Sequence, residues 1–423
     1  MSRVLLTWEL GLNWGHLTRL LPVAQRLRAE GHTVLVASRD VQAAASVLGP
    51  NDISFVQAPH LPKGIPLDHR AAGYADILLS QGWSDVSALW GLTQGWINLI
   101  RMFRPDRMVL DYSPTMMLAA RITRVPSVLV GNGFELPPAT DPLPAFPGFS
   151  WATEERAAAA ERLCVRSAND VLKAYRSPGI SALRDLFIEH PRLFATFPEL
   201  DHYGARADTH YIGPLLATLK LPTVVWPEGE GPRIFACLRP DTSHVWEILS
   251  ALADSEGRIV CVASGFIPEQ LRQYARPHLR FSLGPIDLQP LLDADLTLTY
   301  GAEGTIMRFL AAGVPQLISP WHVETYMAVK QIETANFGRR LNGSSDPKVM
   351  MRSLLEDLAL RDRVKAFAST VAAGGWGAPA RVAAEMANCK PPQPGVQQNG
   401  LFDRADTRAV RAREHIDECR ASS

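Results

Sequence analysis

Residues able to move a proton or hold an anion gather at two places in this chain. The first is the run Gly11-x-x-x-Gly15-His16-x-x-Arg19-x-x-Pro22. A histidine at the mouth of a glycine-bearing loop can take a proton from an attacking hydroxyl, because imidazole titrates near working pH. Gly15 beside it lets the backbone approach a substrate closely. The alternative is that His16 caps the following helix or simply packs. Asp111 closes the segment Arg104-Pro105-Asp106-Arg107-Met108-Val109-Leu110-Asp111. A carboxylate within reach of His16 would fix its tautomer and stabilise the imidazolium, the orienting role in a catalytic dyad. Otherwise it caps the next helix near Ser113. The second place is Tyr300-Gly301-Ala302-Glu303-Gly304-Thr305. A short glycine loop opening a helix presents backbone amides to an anion such as a diphosphate, although a plain strand-to-helix turn has the same pattern. Arg239 would clamp a phosphate with two hydrogen bonds or else pair with Asp241.

The elements that must position these residues alternate along the chain. Val4-Leu5-Leu6-Thr7 is a buried-type strand, and Leu17, Leu20, Leu21, Ala24 and Leu27 then recur at helical spacing up to Gly31. Thr33 to Ala37 is a second strand, which completes a βαβ unit and predicts a parallel sheet. Strands at 107–111, 127–130 and 211–214 follow, with helices at 114–123 and about 152–175. A second series has strands at 233–238, 258–263, 279–282, 295–299 and 316–318, and helices at 244–254 and 305–312. Residues 217–232 carry the Pro, Gly and charge of a linker. The expected organisation is therefore α/β. It has one doubly wound domain over 1–214, a linker over 215–232, a second such domain over 233–388 and a polar tail over 389–423. A helix near 403–419 is compatible with the tail's composition. Trp83, Trp90 and Trp96 recur at spacings that fit a helix core face, or that would let them stack on a planar ligand.

Composition narrows the function classes. The 423 residues hold 43 basic and 43 acidic side chains, a balance that argues against nucleic acid or an anionic membrane as main partner. With 47% hydrophobic residues the chain can bury a sizeable core. Cysteines at 164, 237, 261, 389 and 419 form no CxxC pair, against a disulfide framework or a structural zinc site and in favour of a reduced, cytoplasmic setting. The N-terminal stretch is broken by Glu9 and lacks a signal-peptide pattern, and no apolar run is long enough to span a membrane.

Taken together, these segments resemble the GT-B superfamily of nucleotide-sugar glycosyltransferases, in particular the UDP-glycosyltransferase branch and bacterial enzymes that glycosylate lipids and natural products. GHLTRLLPVAQRLRAEGHTVLVAS (15–38) is similar to the family's opening. So is the stretch from about 279 to 341, through PLLDADLTLTYGAEGTIMRFLAAGVPQLISPWHVETYMAVKQIETANFGRRL. RPDRMVLD (104–111), IGPLL (212–216) and the strand and loop at 233–239 match more weakly.

The resemblance implies two Rossmann-like domains facing across a cleft that closes by hinge motion near 215–232. It implies His16 as catalytic base and Asp111 as its supporting acid. The donor would lie on the second domain, held by Arg239, Tyr300, Gly301, Ala302, Gly304, Thr305, Arg308, Glu324 and Thr325. The acceptor would lie on the first, with Asn13, Trp14, Gly15 and Trp83 as candidate contacts. The implied reaction is an inverting transfer from a UDP- or dTDP-linked sugar to a hydroxyl or amine of a small-molecule or lipid acceptor. It needs no metal and no cofactor besides the donor.

The chain departs from the family pattern in that second stretch. Tyr300 stands where the family has His, Ala302 where it has Gly, and Arg308 in place of the Glu that holds the ribose. Glu324-Thr325 occupies an Asp-Gln position. The lost ribose acid suits a deoxynucleotide donor or a different ribose grip. Two other functions share the architecture: a sugar-nucleotide epimerase, and a relative that binds without catalysis.

Overall fold

The structure is a computed structural model and describes residues 1–12, 14–377 and 379–389. Residues pack into two compact units, each built on an all-parallel sheet.

The first unit holds β1 (Arg3–Trp8), β2 (Thr33–Ser38), β3 (Ser54–Gln57), β4 (Arg107–Asp111), β5 (Ser127–Gly131), β6 (Arg192–Phe194) and β7 (His210–Tyr211), in the order β3-β2-β1-β4-β5-β6-β7. Helices cover such a sheet on both faces, so its strands read as continuous apolar runs. Val4, Leu5 and Leu6 are fully buried, as are Met108, Val109 and Val128. The strand order reverses between β1 and β4, which pair in register from Val4↔Arg107 to Trp8↔Asp111. The loops leaving these two strands diverge there, and open α/β sheets bind ligands at that point.

The second unit repeats the plan with β8 (Arg233–Leu238), β9 (Arg258–Ala263), β10 (Leu279–Ser282), β11 (Leu296–Thr299), β12 (Gln316–Ile318) and β13 (Gly338–Arg340). Their order is β10-β9-β8-β11-β12-β13, with the reversal between β8 and β11. Ile234, Ala236, Leu238, Ile259, Cys261, Leu296, Leu298 and Leu317 face the main core, while Phe235 and Phe309 stack at 4.7 Å on the opposite side of the sheet.

Three segments sit differently from the expected division at 214 and 233. Residues 196–206 group with the second unit, where Phe197 packs edge-on to Phe367 and Trp376. The expected linker is fastened to the second unit as well. The Pro222 carbonyl accepts from Asp287 N, Trp226 Nε1 donates to Asp293, Arg280 donates to the Val225 carbonyl, and Arg308 donates to the Ala217 carbonyl. Proline and glycine give this stretch the look of a free tether, but several of its carbonyls are bonded to the second unit. The helix Pro379–Asn388 belongs with the first unit, burying Val382 and Met386, and Arg107 donates to the Cys389 carbonyl next to it. The possible helix near 403–419 lies outside the described residues. Among the described residues, Cys164, Cys237, Cys261 and Cys389 are free thiols, and no helix is long and apolar enough to cross a membrane.

Glu9, just past β1, ties this strand to the helix Pro114–Thr123 that follows β4. Its Oε2 accepts from Thr115 N at 2.9 Å and Met116 N at 3.2 Å, two donors that a helix start leaves unpaired. Glu9 is 2% exposed, and burial pushes its carboxyl up from 4.5 to about 7 against the pull of those hydrogen bonds. A folded-state value above the unfolded one means that the folded protein binds this proton more tightly. The stability tied to Glu9 is therefore greatest below pH 4.5, declines as pH rises to about 7, and is level beyond. The amount is about 3 kcal/mol. Between about pH 5 and about pH 8, wild-type protein should lose more melting temperature than Glu9→Gln, which lacks the titration. Equal losses in both proteins would show that this carboxyl is not held in an apolar setting.

Candidate functional site

His16 lies in the first turn of the helix Gly15–Ala29, immediately after the β1 loop, and Asp111 is the last residue of β4. Although 95 residues apart in sequence, they meet at the strand reversal, with Nδ1 3.0 Å from Asp111 Oδ1. A carboxylate can only accept, so in the neutral imidazole Nδ1 carries the hydrogen and Nε2 keeps the lone pair. Trp8, the β1 partner of Asp111, stacks on the imidazole at 5.1 Å, and Tyr112 lies 6.0 Å from it on the other neighbouring strand end. Tyr112 adopts a left-handed backbone (φ 43°), held by Leu10 N donating to its carbonyl.

Two further charged groups join this pair. Arg19, one helical turn beyond His16, donates through NH1 to Asp111 Oδ1 at 2.7 Å and to Glu135 Oε2 at 2.5 Å. Glu135 Oε1 stands 3.6 Å from His16 Nδ1. All four side chains are buried: His16 and Arg19 are 8% exposed, Glu135 3% and Asp111 0%. Glu135 is aimed by the turn after β5, where Asn132 N donates to its Oε2 and Asn132 Oδ1 accepts from Phe134 N and Glu135 N. A Cβ at Gly131 would come within 2.7 Å of Glu135 Oε2, so the glycine admits the acid. Burial works against the imidazolium, but Asp111 first and Glu135 after it outweigh that cost, and the His16 pKa lies above its ordinary value.

The ligand-type atoms of His16, Asp111 and Glu135 lie within 4.8 Å of one another, a spacing that a metal ion also uses. Arg19 already sets a positive charge between the two carboxylates, and a second cation would meet it at close range. The group is better suited to handling a proton.

The glycines divide differently from expectation. A Cβ at Gly15 would meet nothing within 4 Å, so that position does not depend on glycine for space. Gly11 does: its φ is +87°, and a Cβ there would overlap His16 Nε2. Only glycine leaves room at that nitrogen. Trp83, expected on the acceptor side, is fully buried and donates to Thr115 Oγ1 at 3.2 Å, so it is part of the core. Trp96 is equally buried. Trp14 immediately precedes the His16 helix without capping it and is half-buried, and Asn13 lies outside the described residues.

In the second unit, Arg239 follows β8 and Tyr300 follows β11, again at the strand reversal. Tyr300 N donates to the Cys237 carbonyl, and burial raises the Tyr300 phenol far above its ordinary range. Gly301 turns the chain at φ +97°, and the helix Glu303–Ala311 starts at Ala302 without a side-chain cap, with Gly304 and Thr305 in its first turn. Arg239 Nε pairs with Asp241 at 3.1 Å, as the structural alternative expected. Its guanidinium also lies 5.5 Å from the Trp321 ring and 6.0 Å from the Tyr300 ring. Ser319 Oγ donates to the Ser243 carbonyl and Ser243 Oγ to the Pro320 carbonyl, so the loops after β8 and β12 are tied together.

Two residues expected at the donor hold hydrogen bonds within the chain, and the Thr325 side chain also packs against Gly301. Arg308 is bonded to the Ala217 carbonyl, and Thr325 Oγ1 accepts from Trp321 N and His322 N at the start of the helix Val323–Thr334. Glu324 is half-buried in that helix's first turn. Two neighbours were missed. His322 is held neutral by burial, at about 4, and the Trp321 Nε1–H is buried with no acceptor among the described residues. Both are single aromatic residues after a short strand, a signal too weak to find by pattern.

No protein-family model matches the chain, and no curated protein does. Solved structures do match over most of its length. The calicheamicin glycosyltransferase CalG4 has a TM-score of 0.69 at 18% identity, over 92% of this chain and 98% of its own. The glycosyltransferase SnogD from Streptomyces nogalater gives 0.62 at 22%, over 92% and 99%. The glycosyltransferase VinC in complex with dTDP gives 0.65 at 17%, over 91% and 98%. The chain thus has the GT-B fold that its sequence segments implied, with two doubly wound parallel sheets.

Gly11→Ala should cost about 1 kcal/mol or more of stability, since it places a side chain at positive φ against the imidazole. Gly15→Ala should be close to neutral. Thermal melts of both variants check this contrast, and equal melting temperatures would mean that Gly11 is not the constrained position.

Proposed function

We propose that this chain is an inverting glycosyltransferase that moves a sugar from a nucleoside-diphosphate donor to a hydroxyl or amine of a small-molecule or lipid acceptor. The observation that carries the reading is the buried contact between His16 and Asp111 at the carboxyl ends of β1 and β4. A histidine with Nδ1 engaged by a carboxylate and Nε2 kept open by a glycine is arranged as a general base.

The acceptor O–H or N–H bond breaks as its proton passes to Nε2, and the freed electron pair attacks the anomeric carbon. The bond from that carbon to the diphosphate oxygen breaks on the opposite face, which inverts the centre. Asp111 holds the tautomer and offsets the imidazolium charge. The departing diphosphate requires fixed positive partial charge. Ala302 and Gly304 at an uncapped helix start supply it, with the Arg239 guanidinium 6.0 Å from the neighbouring Tyr300 ring, while the Gly301 and Thr305 amides are already bonded to Thr299 Oγ1 and the Ala302 carbonyl. No metal is needed in this scheme, because amides and a guanidinium carry the charge. The buried Trp321 Nε1–H and Glu324 are candidates for the sugar's oxygen atoms.

A dTDP-linked donor is favoured over a UDP-linked one. VinC is a complex with dTDP, and Arg308, which replaces the ribose-binding acid, is bonded to the backbone here. A deoxyribose makes less use of such an acid.

A ligand that binds only the folded state raises the melting temperature. In a screen of dTDP, UDP, GDP and ADP, dTDP should give the largest rise. His16→Ala should keep that rise while losing about 10²–10⁴-fold in kcat. No rise with any nucleotide would instead favour a protein that binds without catalysis.

A further inference from the structure

Two buried charges beside His16 have no part in the scheme above. Arg19 adds a positive charge 2.7 Å from the carboxylate that is meant to support an imidazolium. With Asp111 and Arg19 alone, a protonated His16 would leave a net positive charge sealed from water, which is costly. Glu135 removes that cost. It takes a hydrogen bond from Arg19 and places its second oxygen 3.6 Å from Nδ1.

We propose that Arg19 and Glu135 are positioning residues that set the charge balance of the His16–Asp111 pair. Together the four side chains carry one net negative charge before transfer, and none once His16 has taken the acceptor's proton. This rests on the reading of His16 as the base. The cluster then becomes electrically neutral as the reaction proceeds, so the pull of the two carboxylates offsets the burial that opposes the imidazolium. The geometry supports a built device. A Cβ at Gly131 would come within 2.7 Å of the Glu135 carboxylate, Asn132 fixes its turn, and Arg19 sits on the same helix face as His16.

The other ionisable groups nearby are accounted for. The Tyr112 ring stacks against the imidazole. Glu9 faces the amides of Thr115 and Met116, and Arg39 donates to the Glu9 carbonyl.

The test reads His16 directly, by following the ring resonances of histidine-labelled full-length protein against pH. The His16 signal is identified by its loss in His16→Gln. Glu135→Gln keeps the acceptor for Asn132 N but removes the charge, and should move the His16 titration to lower pH. Arg19→Gln should move it to higher pH, and the double variant should return toward wild type. If Arg19→Gln does not fold, Arg19→Lys, which keeps the charge, should leave the titration near wild type while Glu135→Gln still shifts it. An unchanged titration in Glu135→Gln would overturn the proposal, whether or not the protein transfers sugar.

The kinetic arm adds a second readout. Glu135→Gln should lower kcat about tenfold, part of the 10²–10⁴ that a general base supplies, with little change in KM. Arg19→Gln should be slow at neutral pH and recover as pH is raised. A titration that shifts as described in a protein with no transferase activity would sink the functional reading and leave the charge coupling standing.

Discussion

A parallel sheet that winds first one way and then the other leaves a gap at the carboxyl ends of its two central strands, because the connections above them depart in opposite directions. In this chain that constraint operates twice, between β1 and β4 and between β8 and β11. Each reversal collects residues that are far apart in sequence. At the first, Trp8 pairs with Asp111, so the residue ending β4 is delivered beside the loop that carries His16. At the second, Tyr300 N bonds the Cys237 carbonyl, which brings the glycine loop against the loop of Arg239. The adjacent strands determine which loops meet, and the loops supply the chemistry.

The two gathering points differ in how they treat charge. In the first unit the charge is buried and internally matched, with two carboxylates, one guanidinium and one imidazole in mutual contact. Low-dielectric surroundings make each of these contacts strong and each mismatch expensive, so the set behaves as one unit. In the second unit the helix start carries no side-chain cap and Arg239 is only partly enclosed. Two glycines show how closely the first cluster is fitted. Gly11 leaves room at Nε2, and Gly131 leaves room for the Glu135 carboxylate.

What was legible in the sequence follows from burial. Strands at 233–238 and 258–263 stand where their apolar runs indicate, because a parallel strand covered on both faces has few polar positions to obscure it. The edge strand Ser54–Gln57 and the short strands Arg192–Phe194 and Gly338–Arg340 lack such runs and could not be read. Residues 215–232 look like a tether because proline and glycine interrupt any periodicity. Yet their carbonyls are taken by Asp287, Arg280 and Arg308, partners that no local pattern reveals. Thr325 and Arg308 were placed at the donor by position in a motif. In the folded chain the Thr325 hydroxyl is bonded at a helix start and one Arg308 nitrogen to a backbone carbonyl.

The sequence by itself determined the doubly wound plan, the strand ends at which chemistry is placed, and the candidacy of His16 and Asp111, since each of these is written in residues close together along the chain. Tertiary structure alone decided that these two side chains touch, that Arg19 and Glu135 join them, that Gly11 and not Gly15 is the constrained glycine, and that Trp83 belongs to the core. The reason is separation. The hydrogen bonds between side chains of the charged cluster span 92 to 116 residues, and only the register of β1, β4 and β5 brings their carboxyl ends to one place.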